Sequence, residues 1–129
     1  MLAVDTNVIV RYLTNDHPRQ SPRARNLVDG QDVWVPTTVL LETEWVLRSV
    51  YRYTPTQVAI ALLKFAGLPH VTVENAALAA QALNWAEQGM DFADALHLGA
   101  ADHCEAFASF DTDFVKVAKK TSAGSVQSP

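Results

Sequence analysis

Short runs of β-forming residues alternate along this chain with longer stretches that carry helix signals, and that alternation limits its fold more than any other feature. It is the mark of an α/β domain with a mainly parallel sheet, because parallel neighbours need a long crossover, usually a helix. Leu2-Ala3-Val4, Val33-Trp34-Val35-Pro36 and Val71-Thr72-Val73 read as the first three strands. Glu105 to Ser109 reads as a fourth, and residues 122–129 hold either a short fifth strand around Val126 or a frayed tail. Helices are expected through Val8–Leu13, from a Ser21-Pro22 cap to Gly30, from about Val39 to Arg52, and from a Thr54-Pro55 cap to Gly67. Three more are expected from Asn75 to Gly89, from Asp91 to about His103, and from Asp111 onward, the last ending in Lys116, Lys119 and Lys120 as suits the helix dipole.

Length and composition narrow the class further. The 129 residues amount to one domain, with no internal repeat and no linker long enough to divide them. Apolar residues make up 49% and charged residues 19%, which excludes a disordered or low-complexity protein. One cysteine, Cys104, rules out a disulfide scaffold and a thiol-based zinc finger. Beside His103 at a helix end, it reads as a small buried hydrophobe. The run ending in Asp5 has no basic leader before it, and no apolar stretch reaches the roughly 18 residues of a membrane span. The expectation is a cytoplasmic protein.

The net charge of −4 argues against non-specific nucleic-acid binding, which goes with a basic balance. The placement of the acids changes that reading. Asp5 and Asp111 stand at carboxyl ends of strands, where open α/β sheets bind ligands, and both could equally be helix N-caps. Asp91 and Asp94 lie three apart on one face of a helix start, a spacing close to a capping box. Glu42 shares a mostly apolar helix face with Val39, Trp45 and Val46, so it is expected to point inward and to need a partner, either in a site or in a buried salt bridge. Glu44 is expected to be a solvated i,i+4 partner of Arg48. His97 shares a face with Asp94, where packing and metal ligation are both open readings.

Each acid has a structural excuse when taken singly. Together they recur at strand ends and helix starts, which a parallel sheet gathers on one edge. Setting aside Asp5, Glu42, Asp91, Asp94, Asp111 and Asp113 leaves eight acids against ten bases, so the negative excess resides in these six. Carboxylates about 4 Å apart repel by roughly 4 kcal/mol at an effective dielectric near 20. Such a cluster must share protons or hold a cation. With oxygen ligands alone, Mg²⁺ and Mn²⁺ are the suitable ions, and a hydrated divalent ion is suited to phosphodiester hydrolysis.

The motifs resemble the PIN domain, and within it the VapC-type toxins of toxin–antitoxin pairs. The resemblance rests on Val4-Asp5-Thr6-Asn7-Val8 with Arg11-Tyr12-Leu13, on Leu41-Glu42-Thr43-Glu44-Trp45-Val46-Leu47, on Asp91-Phe92-Ala93-Asp94-Ala95-Leu96-His97, and on Ser109-Phe110-Asp111-Thr112-Asp113-Phe114. It implies a three-layer α/β/α fold with a central, mainly parallel sheet of four or five strands. It also implies a Mg²⁺- or Mn²⁺-dependent endoribonuclease that forms a homodimer and is inhibited by a VapB-like antitoxin. Asp5, Glu42, Asp94 and Asp111 match the family's acidic quartet, with Asp113 a further metal acid and Asp91 a less regular one. Thr6 and Asn7 match residues that support the first aspartate. Arg11, Arg48 and Arg52 are the phosphate contacts suggested by their elements. Two rival classes remain open from sequence. One is a catalytically silent binding module of the same fold. The other is an aspartyl-phosphate receiver or phosphatase, which the Asn7 position and the absence of an early lysine disfavour. Trp45, Val50, Tyr51, Tyr53, Ile60, Leu62 and Leu63 on adjacent helices either all face the sheet or form a dimer surface.

Overall fold

The computed structural model describes residues 1–129, with seven helices and five strands. The chain divides into two compact units, Met1–Ala76 and Ala77–Pro129.

In the first unit the order is β1 (Leu2–Ala3), α1 (Thr6–Thr14), α2 (Gln20–Gly30), β2 (Val33–Val35), α3 (Thr37–Ser49), α4 (Pro55–Ala66) and β3 (Val71–Val73). The strands form one parallel sheet in the order β1-β2-β3, with Leu2 beside Val33 and Val33 beside Val71. The central strand β2 is the most enclosed, its Val33 and Val35 having no solvent exposure. β-Branched residues suit that position because they pack well on a pleated surface. Ile9 and Val10 of α1, Val28 of α2, Leu47 of α3, and Val58, Leu62 and Phe65 of α4 complete the core, and Tyr12 meets Phe65 edge to face at 5.4 Å. Thr54 and Gln57 form a reciprocal capping box at the start of α4, where Pro55 occupies the first turn, as the sequence predicts.

Two helix limits differ from expectation. Ser21 is not the cap of α2: it lies buried inside the helix, and its hydroxyl accepts the His17 N–H. The His17 ring takes the capping role, with Nδ1 accepting from the N–H groups of Arg19 and Gln20 at 3.3 and 3.0 Å. α3 begins two residues earlier than expected and stops at Ser49, and Arg52 adopts a left-handed φ of 61° in the connection that follows. α3 follows Pro36 and has no cap of its own, so the Glu74 carboxylate beyond β3 accepts the Thr37 N–H at 2.9 Å.

In the second unit the order is α5 (Ala76–Glu87, starting one residue before the unit boundary), α6 (Phe92–Ala100), β4 (Phe107–Ala108), α7 (Thr112–Thr121) and β5 (Val126–Gln127). β4 and β5 pair in parallel, Phe107 beside Val126, so the tail around Val126 is a strand. All strand pairings are thus parallel, and they form ladders of three and of two. Leu83, Phe92, Ala95, Phe114 and Ala118 are buried, and Phe107 packs edge-on to Phe114. Gly89 turns the chain between α5 and α6 with a φ of 110°, a conformation that residues with a Cβ avoid. α6 ends at Ala100, short of His103, and Cys104 is exposed rather than buried because it follows the helix in an open turn.

Candidate active site

In the first unit, Asp5 follows β1 by two residues and caps α1, one carboxylate oxygen accepting the Val8 N–H at 3.3 Å. The other oxygen forms no hydrogen bond. Thr6, buried at the first helical position, donates its hydroxyl to Glu42 of α3. Thr6 therefore brings Glu42 to the start of α1, next along the chain from Asp5. Neither Thr6 nor Asn7 bonds Asp5 itself. Asn7 lies one step round the helix and lines a separate cleft of about 460 Å³ with Arg11, Gln20 and Arg23.

The two acids of α3 exchange the environments expected from sequence. Glu42 is exposed, whereas Glu44 is 5% exposed and forms the ion pair with Arg48, Nε to Oε2 at 3.0 Å. The reason is helix phase. Leu40, Thr43, Glu44 and Leu47 form the buried stripe, and the stripe holding Glu42, Trp45 and Val46 faces outward.

In the second unit, Asp91, Asp94, Asp111 and Asp113 line one cleft of about 530 Å³. Asp91 caps α6, accepting the Asp94 N–H at 3.0 Å, and Asp111 caps α7, one of its oxygens accepting from Asp113 and Phe114 at 2.9 and 3.2 Å. Burial pushes the Asp94 carboxyl above its ordinary pKa, the negative charges of Asp91 and Asp111 push it further, and His97 opposes them. The four acids thus share a cleft, and three of them interact electrostatically. His97 stacks on Phe107 at 6.4 Å between centroids, in agreement with a packing role.

No group of three or more His, Cys, Asp or Glu side chains is arranged as a ready-made metal cage. The carboxylates of the second-unit cleft nevertheless fit Mg²⁺ or Mn²⁺. Mg²⁺ takes one or two carboxylates and keeps several waters, and Asp111 uses one oxygen as a cap and leaves the other uncommitted. Of the arginines expected at phosphates, Arg11 is engaged with Gln20, Tyr51 and Asp16, and Arg48 with Glu44. Arg52 is exposed in the connection after α3. The basic groups actually at the acidic cleft are Lys116 and Lys120, which sequence reasoning assigned only to the helix dipole. Their spacing from Asp113, at i+3 and i+7 on α7, is the signal that places all three on one face.

The PIN domain family model matches residues 2–120, nearly the whole chain and both units. Among curated proteins, none matches the sequence. No helix is long and apolar enough to cross a membrane.

Proposed function

Since the chain belongs to the PIN domain family, whose members are generally nucleases, we propose that it is a Mg²⁺- or Mn²⁺-dependent endoribonuclease acting as the VapC-type toxin of a toxin–antitoxin pair. The observation that carries this reading is the cleft of the second unit, which four aspartates line and where burial, and then the charges of Asp91 and Asp111, raise the proton affinity of Asp94. Negative charge accumulated in that way favours a bound cation, and the ion pairs of Arg11 and Arg48 are made with Asp16 and Glu44.

Asp5, Glu42, Asp94 and Asp111 are the proposed ligand carboxylates, with Asp113 as a further one. A bound divalent ion supplies Lewis acidity that activates water and offsets charge on a phosphoryl oxygen. The chain's own residues hold and orient. The backbone N–H groups at the starts of α1 and α7 fix the planes of the Asp5 and Asp111 carboxylates. The Thr6 hydroxyl fixes Glu42.

Asp5→Asn, which retains the cap but lowers the charge, is expected to abolish RNA cleavage with Mg²⁺ or Mn²⁺ present while leaving the fold intact. Equal cleavage by Asp5→Asn and the parent sinks the assignment, and a parent that cuts no RNA with either metal marks a silent module.

The proposed homodimer draws support from Trp45, Val50, Ile60 and Leu63, which remain exposed on and beside α3 and α4 while Leu62 is buried. Light scattering that finds only monomer removes it. A VapB-like antitoxin with a basic segment is the proposed inhibitor, its charge opposite to that of the aspartate cleft.

A further inference from the structure

Phe110 is the most exposed large apolar residue of the protein, with 86% of its surface open to solvent. Its aromatic neighbours behave differently: Phe107 and Phe114 pack against each other, and Phe114 is buried. Leaving a phenyl ring in water forgoes the hydrophobic gain of burying it. The backbone around it is nonetheless held firmly. The Ser109 N–H donates to the Gln127 carbonyl at 2.9 Å, and the Ser109 hydroxyl accepts the Asp111 N–H at 3.0 Å. The ring is therefore displayed from a pinned turn, one peptide away from Asp111 in the acidic cleft.

On the opposite side of Asp111 along the chain, Lys116 and Lys120 line the same cleft and form no ion pair. Like charges at i,i+4 on a helix are mildly destabilising, so this pair does not serve α7 itself. The helix dipole accounts for a lysine in the last turn, but not for Lys116 in the middle of the helix.

We propose that Phe110, Lys116 and Lys120 form the strand-holding rim of the cleft, with an unpaired RNA base stacked on the Phe110 ring and backbone phosphates held by the two ammonium groups. This rests on the ribonuclease reading and names the side chains that hold its substrate strand. Every base has a π-face, so stacking on one ring tolerates any sequence, and a duplex offers no free base to it. A strand carrying its own negative charge needs cations beside the acidic cleft, and the two lysines supply them.

The test uses the full chain and a short fluorescein-labelled RNA of mixed sequence without base pairing. Binding is followed by fluorescence anisotropy in chelator, so that no hydrolysis competes. Phe110→Ala is expected to weaken binding by roughly 5- to 150-fold, the range for loss of one stacked base, and Phe110→Trp to restore it. Lys116→Gln with Lys120→Gln is expected to lower the slope of log K against log salt by about 1.4, at about 0.7 per phosphate on a single strand. Phe110→Ala should leave that slope unchanged. Parent-like affinity in Phe110→Ala, or an unchanged salt slope in the double variant, overturns the rim. If the parent cleaves RNA with Mn²⁺ while those variants bind as it does, the rim fails and the nuclease reading stands. A parent that neither binds nor cleaves overturns both.

Discussion

Removing the Thr6 hydroxyl isolates the contact that sets Glu42 in place. Thr6→Val keeps the volume and suits the site, since Thr6 is buried. A hydrogen bond to a charged group contributes about 1.5–3 kcal/mol. Glu42 is exposed, so water can take over from the lost donor, and the lower end of about 1.5 kcal/mol applies. With a urea slope of about 2 kcal/mol per molar, the unfolding midpoint should fall by about 0.75 M. Glu42→Ala and the double variant complete a mutant cycle. The coupling energy should lie near 1–1.5 kcal/mol, because both single changes break the same bond. Circular dichroism during urea titration at neutral pH reads all four proteins. A coupling within about 0.5 kcal/mol of zero shows that Thr6 and Glu42 act independently and refutes the claim that one positions the other.

Three further expectations concern charge. Asp94 has a raised pKa in the folded chain, so folding binds protons there, and this group favours folding most below its ordinary value of 3.8 and least above the raised one. Asp94→Asn in chelator should therefore stabilise the protein near neutral pH, with the gain fading as the pH falls through the raised value toward 3.8; a pH-independent difference in melting contradicts the assignment. With Mn²⁺ at 100 times its dissociation constant the parent should gain about 2.7 kcal/mol, and Asp94→Asn less at the same concentration, which melting curves compare directly. Arg48→Met strands the buried Glu44 carboxylate. Breaking a buried pair costs about 3–5 kcal/mol, reduced here because the Arg48 side chain is 41% exposed, and denaturation that finds Arg48→Met less harmful than Glu44→Gln contradicts this account.

Much of the fold was legible because its signals are local. The valine runs bound β2 and β3 as expected, and Thr54-Pro55 marks the start of α4 through a cap that depends only on neighbours in sequence. The start of α2 was not legible, since a histidine ring three residues upstream caps it and Ser21-Pro22 gives a more familiar signal in the wrong place. α3 carries two overlapping apolar stripes, one through Glu42 and one through Glu44. Sequence alone does not decide between them, because the choice is made by which face meets α1 and α4. The acids were legible as strand-end and helix-start residues, and Asp91, Asp94, Asp111 and Asp113 line the second-unit cleft. The cations beside them were missed because lysines near a helix end already had an explanation.

Three of the acids, Asp5, Asp91 and Asp111, each begin a helix by capping it. Asparagine caps about as well as aspartate, and a single nucleotide change converts one codon into the other. If the proposed reaction runs through these carboxylates, chemistry and folding are separable there by the smallest possible genetic step. On that reading a lineage carrying this chain can lose its reaction and keep its shape, leaving an intact, inert body free to acquire other work.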